Sequence, residues 1–302
     1  MSFEVIIPFL KPIKHLLDAQ TISEIMVNPD GSVWIEEKGQ VQHLHDVQFE
    51  DGALQTGLEV IANRFGKKLD ADSPILNLRL PDGSRMAAMI PPVVNPRPLV
   101  TIRKFTSKDF TLADLIRVEM LTEGQAATLT DAVREGQNIL IAGGTGGGKS
   151  TLLGVLADAI PEDERILLIE DTAELHIRKP HIVSTESQTD THRSQITFDD
   201  LLKAVLRHRP DRIIVGEVRG PEARTLLDAM NTGHRGTLAT IHASSAEEAV
   251  RRLASLAIRS AANLQLNVAE EDVRRGINLI VYISRHQGKR RVEEVIRIQR
   301  TA

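Results

Sequence analysis

The chain has 302 residues, more than one hydrophobic core ordinarily organises, so its length points to two domains. Hydrophobic residues at 41% and charged residues at 26% describe an ordinary globular protein, while a net charge of −4 and only 3% aromatic residues argue against a direct nucleic-acid tracker. The absence of cysteine excludes disulfides, thiolate zinc sites and a cysteine nucleophile, and suits a reducing compartment.

The amino-terminal sequence MSFEVIIPFLKPIKHLL has a short apolar patch broken by Pro8 and Pro12, with neither the basic region nor the cleavage site of a secretory leader. No later run reaches the roughly eighteen apolar residues that cross a bilayer, so the expectation is a cytosolic protein that meets a membrane only at its surface. Residues 22–27 (ISEIMV), 33–36 (VWIE) and 41–44 read as strands, the first two around the turn residues Asn28, Pro29, Asp30 and Gly31. Leu54, Leu58, Ile61, Ala62 and Phe65 fall at helical spacing. Short strands follow at 75–80, 85–90 and 99–103, separated by PDGS and a proline-rich corner at 91–96. This describes a small α+β domain over residues 1–105, with 106–111 as linker.

From 112 to 302 the pattern changes to alternation of helix and strand. Helices at 112–116, 123–134, 149–160, 198–207 and 221–232 intersperse with strands at 138–142, 166–170, 212–215 and 237–241. The chain closes on a hairpin of 279–284 with 291–298. Strands with little internal polarity, each followed by a helix, predict an α/β domain whose parallel-rich sheet is covered on both faces. Ligands on such sheets gather at the carboxyl ends of the strands.

The stretch ILIAGGTGGGKSTL sets a buried strand, a glycine-rich turn and a helix in succession, and from Gly143 to Ser150 it spells G-x-x-x-x-G-K-[ST]. Backbone N–H groups must turn inward around a phosphate chain, in conformations and at distances that a Cβ obstructs. Gly143, Gly144, Thr145, Gly146, Gly147, Gly148, Lys149, Ser150 and Thr151 are therefore the expected nucleotide-binding residues, for ATP/ADP with Mg²⁺. Lys149 reaches the β- and γ-phosphates, Ser150 offers its hydroxyl to Mg²⁺, and the helix end adds its dipole.

Glu170 and Asp171 close one strand and Glu217 closes another, where carboxylates can orient water and support a metal. His234 and His242 bracket the strand GTLATI. His242, at its carboxyl end, is placed to donate to a γ-phosphate oxygen or to a carboxylate, whereas His234 reads equally well as a surface residue.

The segments GGTGGGKST, IEDTAEL, RPDRIIVGEVRGPEA and TGHRGTLATIHA resemble the Walker A, Asp box, Walker B and His box of the secretion-superfamily traffic ATPases. The first domain joins the resemblance through ISEIMVNPDGSVWIE, LPDGSRMAAMIPPVV and TIRKF. Within that superfamily the chain is similar to the compact ATPases of type IV secretion, particularly the conjugal-transfer branch; type IV and tight-adherence pilus ATPases are the alternative. The resemblance implies a RecA-like P-loop NTPase domain behind a smaller α+β domain, in a homohexamer. That ring would lie on the cytoplasmic face of the bacterial inner membrane, with an inner-membrane secretion or conjugation complex as partner, and would drive pilus assembly or transfer of DNA or protein. Contact with transferred DNA would be indirect. Carried over by position, Glu170 is the Asp-box acid, Glu217 the Walker B glutamate and His242 the His-box sensor. Mg²⁺ support falls to Ser150, Glu170 and Glu217, the carboxylates acting directly or through water, and the division of base from metal support stays open. Gly216 stands where many Walker B strands carry aspartate. Arg85 and Arg103, with Arg219 nearer the loop, are the candidate arginines for the transition-state charge.

Two other function classes share parts of this pattern. A small-molecule kinase would have the phosphate loop, but it would not need the first domain or the acid and histidine segments. A DNA-translocating motor would use the carboxy-terminal cations Arg285, Lys289, Arg290, Arg291, Arg297 and Arg300, which read instead as the solvated face of a hairpin interrupted by Glu293 and Glu294.

Overall fold

A computed structural model of the chain describes residues 6–37, 39–50, 52–104, 110–187, 196–260, 264–286 and 289–298. The chain forms two compact units, Met1–Lys108 and Asp109–Ala302. Residues 106–109 of the expected 106–111 linker lie outside the described residues.

The first unit opens with a 3₁₀ segment, Ile7–Ile13, and a short helix α1 (Lys14–Asp18). Pro8 sits in the first turn and Pro12 within, which suits short helical pieces and no long one. Strands β1 (Ile22–Val27), β2 (Val33–Glu37) and β3 (Gln40–Leu44), helix α2 (Ala53–Arg64) and strands β4 (Ile75–Arg79), β5 (Arg85–Met89) and β6 (Leu99–Arg103) follow. The sheet is antiparallel throughout, in the order β3-β2-β1-β6-β5-β4. Alternate residues such as Leu76, Leu78, Met86, Ala88, Val100 and Ile102 are buried against Leu10, Ile13, Leu58 and Ile61, so the apolar amino-terminal patch covers this core.

The second unit contains α3 (Leu112–Arg117), α4 (Glu123–Arg134), β7 (Ile139–Gly143), α5 (Lys149–Ala157), β8 (Ile166–Glu170), β9 (Ile182–Glu186), α6 (Phe198–Val205), β10 (Arg212–Val218), α7 (Glu222–Asn231), β11 (Leu238–His242), α8 (Ala246–Ile258), α9 (Leu266–Gly276), β12 (Leu279–His286) and β13 (Lys289–Arg297). Thr111, Thr122 and Thr197 start α3, α4 and α6 through reciprocal capping boxes with Asp114, Gln125 and Asp200. The sheet order is β13-β12-β7-β11-β10-β8-β9, parallel except for the β12–β13 hairpin.

Successive residues of one strand enter different cores, which explains the uninterrupted apolar runs. Leu140, Leu167, Ile213 and Ala239 pack with α6 to α9, while Ile139, Ile141, Ile166, Leu168 and Ile214 pack with α3 to α5. Among the described residues five elements go beyond the sequence expectation: the 3₁₀ segment and α1 of the first unit, β9, a partly exposed edge strand with the polar sequence IVSTE, and helices α8 and α9.

Candidate functional site

Because β7, β11, β10 and β8 run parallel, Gly143, His242, Glu217 and Glu170 stand on one edge of the sheet. Glycine is required there for two separate reasons. Gly146 and Gly148 have φ of 67° and 95°, in the left-handed region, while a Cβ on Gly143 would lie 2.5 Å from the Ile283 carbonyl oxygen of β12. Gly148 caps α5, whose first turn holds Lys149, Ser150 and Thr151.

Lys149 is buried, and its Nζ donates to the carbonyls of Gly143 at 3.0 Å and Gly144 at 2.9 Å. Burial lowers the ammonium below the usual lysine range; Glu217 opposes that shift and Arg219 adds to it. The same Nζ lies 3.4 Å from His242 Nδ1. On the other side of the ring, Nε2 is 2.9 Å from Glu217 Oε1, yet that oxygen has no aligned donor among the described residues. Burial, followed by the charge of Lys149, pushes His242 below its ordinary value, with Glu217 pulling the other way, which favours the neutral imidazole.

The line of groups continues outward. Arg219 donates to Glu217 Oε2 at 2.8 Å and to Asp171 Oδ2 at 3.3 Å, and Ser187 Oγ donates to Asp171 Oδ1 at 2.7 Å. The bond to Glu217 is the main reason that the guanidinium is held above its usual range. Lys149, His242, Glu217, Arg219 and Asp171 thus form one connected polar row.

Glu170 is turned differently. Only 3% exposed, it accepts from the backbone N–H groups of Glu174 at 2.8 Å and Leu175 at 3.0 Å through Oε1, fixing the loop after β8. Gly216 makes room for it: a Cβ there would lie 3.1 Å from Glu170 Cγ. The register of β10 against β11 shifts between Val215 and Val218, and the Thr240 hydroxyl donates to the Gly216 carbonyl at 2.6 Å. Glu222 secures the next turn by accepting from the N–H groups of Arg219 and Gly220, both at 2.7 Å.

Sequence reasoning did not single out Ser187, Thr240 or Glu222, because their partners are distant in the chain or belong to the backbone. His234 precedes β11 and so lies at the opposite edge of the sheet. Arg85 and Arg103 belong to the first unit, where the register sets Arg79, Arg85, Arg103, Glu24 and Glu36 side by side across five strands. Arg79 is new to this set, although RLPDGSR already implies a hairpin with arginines facing across it.

No described group of three or more His, Cys, Asp or Glu side chains is placed to hold a metal by itself. Magnesium ordinarily needs less from a protein, a hydroxyl and one or two carboxylates beside phosphate and water. Ser150 at the head of α5 and Glu217, whose Oε1 lacks an aligned donor, fit that requirement. Among the described residues no helix is long and apolar enough to cross a membrane.

The pattern of the family described as "Type II/IV secretion system protein" matches residues 10–282. The probable conjugal transfer protein TrbB of Sinorhizobium fredii is 38% identical over 295 residues, covering 95% of this chain and 86% of that protein. The type IV secretion system protein PtlH of Bordetella pertussis is 32% identical over 324 residues, covering 95% and 93%. The crystal structure of the VirB11 ATPase from the Brucella suis type IV secretion system, in complex with sulphate, aligns over 97% of both chains with 26% identity and a TM-score of 0.53. The chain therefore belongs to the type II/IV secretion system protein family, and within it to the type IV secretion and conjugal-transfer ATPases.

Proposed function

We propose that the protein hydrolyses ATP to ADP and phosphate, as a homohexameric motor on the cytoplasmic face of a bacterial inner-membrane secretion or conjugation complex. The observation that carries this reading is the contact of Lys149, His242 and Glu217 at the edge where the phosphate loop opens. Lys149 exchanges the Gly143 and Gly144 carbonyls for the β- and γ-phosphates. Ser150 would hold Mg²⁺ with help from carboxylates, and the metal would offset phosphate charge. Glu217 orients and deprotonates water, and neutral His242 links that carboxylate to the phosphate end. Glu170 acts mainly by fixing the loop after β8.

The names of the relatives support coupling of this reaction to conjugal transfer or type IV secretion. Under the proposal, residues 1–105 form a domain whose Arg85 and Arg103 supply positive charge to the nucleotide, and residues 112–302 carry the chemistry. An arginine so used adds a factor of about a thousand or more. Movement of the first domain with each hydrolysis cycle is the means of doing work.

Phosphate release from Mg-ATP tests the reading. The wild-type chain is expected to turn over and Lys149→Ala to be inactive, with little change in melting temperature because burying the ammonium costs solvation. Wild-type turnover in a folded Lys149→Ala protein refutes the assignment.

A further inference from the structure

Beyond Gly143, the strand beside the phosphate loop is β12, paired through Ile283 with Gly143, so the residues that follow Ile283 run alongside the loop. The facing strand β13 brings Arg290 directly opposite Arg285. Arg290 Nε donates to the Gly146 carbonyl at 2.8 Å, and its Cδ lies 3.1 Å from where a Cβ on Gly148 would be. Arg285 Nη1 lies 3.8 Å from the corresponding point on Gly146. The hairpin is fixed in this place: the Val292 N–H donates to the Met120 carbonyl at 2.9 Å, and Gln125 Nε2 donates to the Val292 carbonyl at 3.1 Å.

The basic run therefore has two sides with different partners. Lys289 and Arg291 share Glu119, at 3.2 and 3.1 Å. Arg285 and Arg290 meet no carboxylate among the described residues and face each other across the ladder, an arrangement that repels. Two like charges held against a loop built to receive polyphosphate are relieved by a bound anion. Resting on the ATPase reading above, we propose that Arg285 and Arg290 are a cationic arm of the nucleotide site, contributed by the same chain and binding the polyphosphate of a nucleoside triphosphate. Arg290 spends one N–H on Gly146, which holds its guanidinium at the loop, and keeps both terminal nitrogens for phosphate oxygens. Arg285 supplies the second charge.

Calorimetric titration of the full chain with Mg-ATP tests this, using Arg285→Gln, Arg290→Gln, the double variant and Lys289→Gln/Arg291→Gln. Each single variant of the facing pair is expected to weaken ATP about tenfold or more, as for loss of a charged hydrogen bond, and the double variant further. The Lys289→Gln/Arg291→Gln control is expected to stay within about twofold, because those side chains meet Glu119. Arg290→Lys should restore affinity only in part, since it returns charge without the planar fork. Melting without nucleotide reports folding, and Arg285→Gln guards that comparison because the Arg285 side chain makes no hydrogen bond or ion pair among the described residues. A folded double variant with wild-type ATP affinity overturns the proposal. So does one that keeps ATP affinity but loses salt-sensitive binding to a DNA duplex, which would make the pair a nucleic-acid contact. A wild-type chain that does not bind ATP refutes instead the ATPase reading on which the proposal rests.

Discussion

Glu170 and Glu217 carry the same group in different surroundings, and the difference sorts their expected effects. Glu217→Gln should keep ATP binding and lose hydrolysis, because an amide still accepts from Arg219 but cannot take a proton. Glu170→Gln should lower the melting temperature, since the charge that receives the Glu174 and Leu175 N–H groups is removed in a buried place; a cost of about 1–3 kcal/mol is expected. Measuring affinity, turnover and melting for both variants would reveal a reversed pattern, which would exchange their roles. His242 gives a second residue-scale test. Proton NMR should find its imidazole titrating below 6.5, moving up in Lys149→Ala and down in Glu217→Gln, following the sign of each neighbour. Its folded value lies below the unfolded one, so the folded state binds fewer protons in that interval. The related stability is complete above about pH 6.5 and is lost as the pH falls. Denaturant midpoints of wild type and His242→Ala should converge on acidification, and a constant difference would contradict this.

At the scale of elements, the phosphate loop is made by its neighbours as much as by its own residues. Gly143 ends β7 directly against β12, whereas Gly144 has open space around its Cβ position. Gly143→Ala should therefore cost about 1–3 kcal/mol, since the obstructing atom is a backbone carbonyl within the sheet, and Gly144→Ala about 0.5 kcal/mol or less. Chemical denaturation measures both; equal effects would show that β12 yields readily. The same dependence explains Gly216, which looks like a missing aspartate along the strand and proves to be clearance for Glu170 from β8. Helix α8 has readable spacing in Ala249, Val250, Leu253, Ala254 and Ala257, whereas β9 is half polar and pairs only along one edge. Nothing local marks such a strand.

For the whole molecule, the question is why a phosphate-loop unit should carry a second unit with a row of arginines. Arg103 is exposed and Arg85 half-buried, on strands whose alternate residues Met86, Ala88, Val100 and Ile102 carry the core, so truncating either arginine should disturb folding little. Arg85→Ala and Arg103→Ala are thus expected to reduce ATP turnover by tenfold or more while shifting melting by only a few degrees. Light scattering with ATP present should give the mass of a hexamer. A fully active monomer, or full activity in a fragment beginning at Leu112, would remove the first unit and the ring from the mechanism.

By itself the sequence determined the elements whose cause is local. Apolar runs in 139–142, 166–169 and 213–215 can only be buried on both faces, the glycines and Lys149 mark a strand–turn–helix, and threonine capping boxes start α3, α4 and α6. Parallel order then puts Glu170, Glu217 and His242 on one edge, as the strand ends already imply. Only the tertiary structure decided what each group faces there. The shifted register of β10, the clearance at Gly216 and the backbone donors at Glu174 and Leu175 turn one glutamate into a loop anchor and leave the other beside Lys149 and His242. The hairpin's cations divide in the same way, because alternation along β13 sends Lys289 and Arg291 to Glu119 and Arg290 to Gly146. A charge in a sequence has a sign but no partner until strands far apart in the chain are laid side by side.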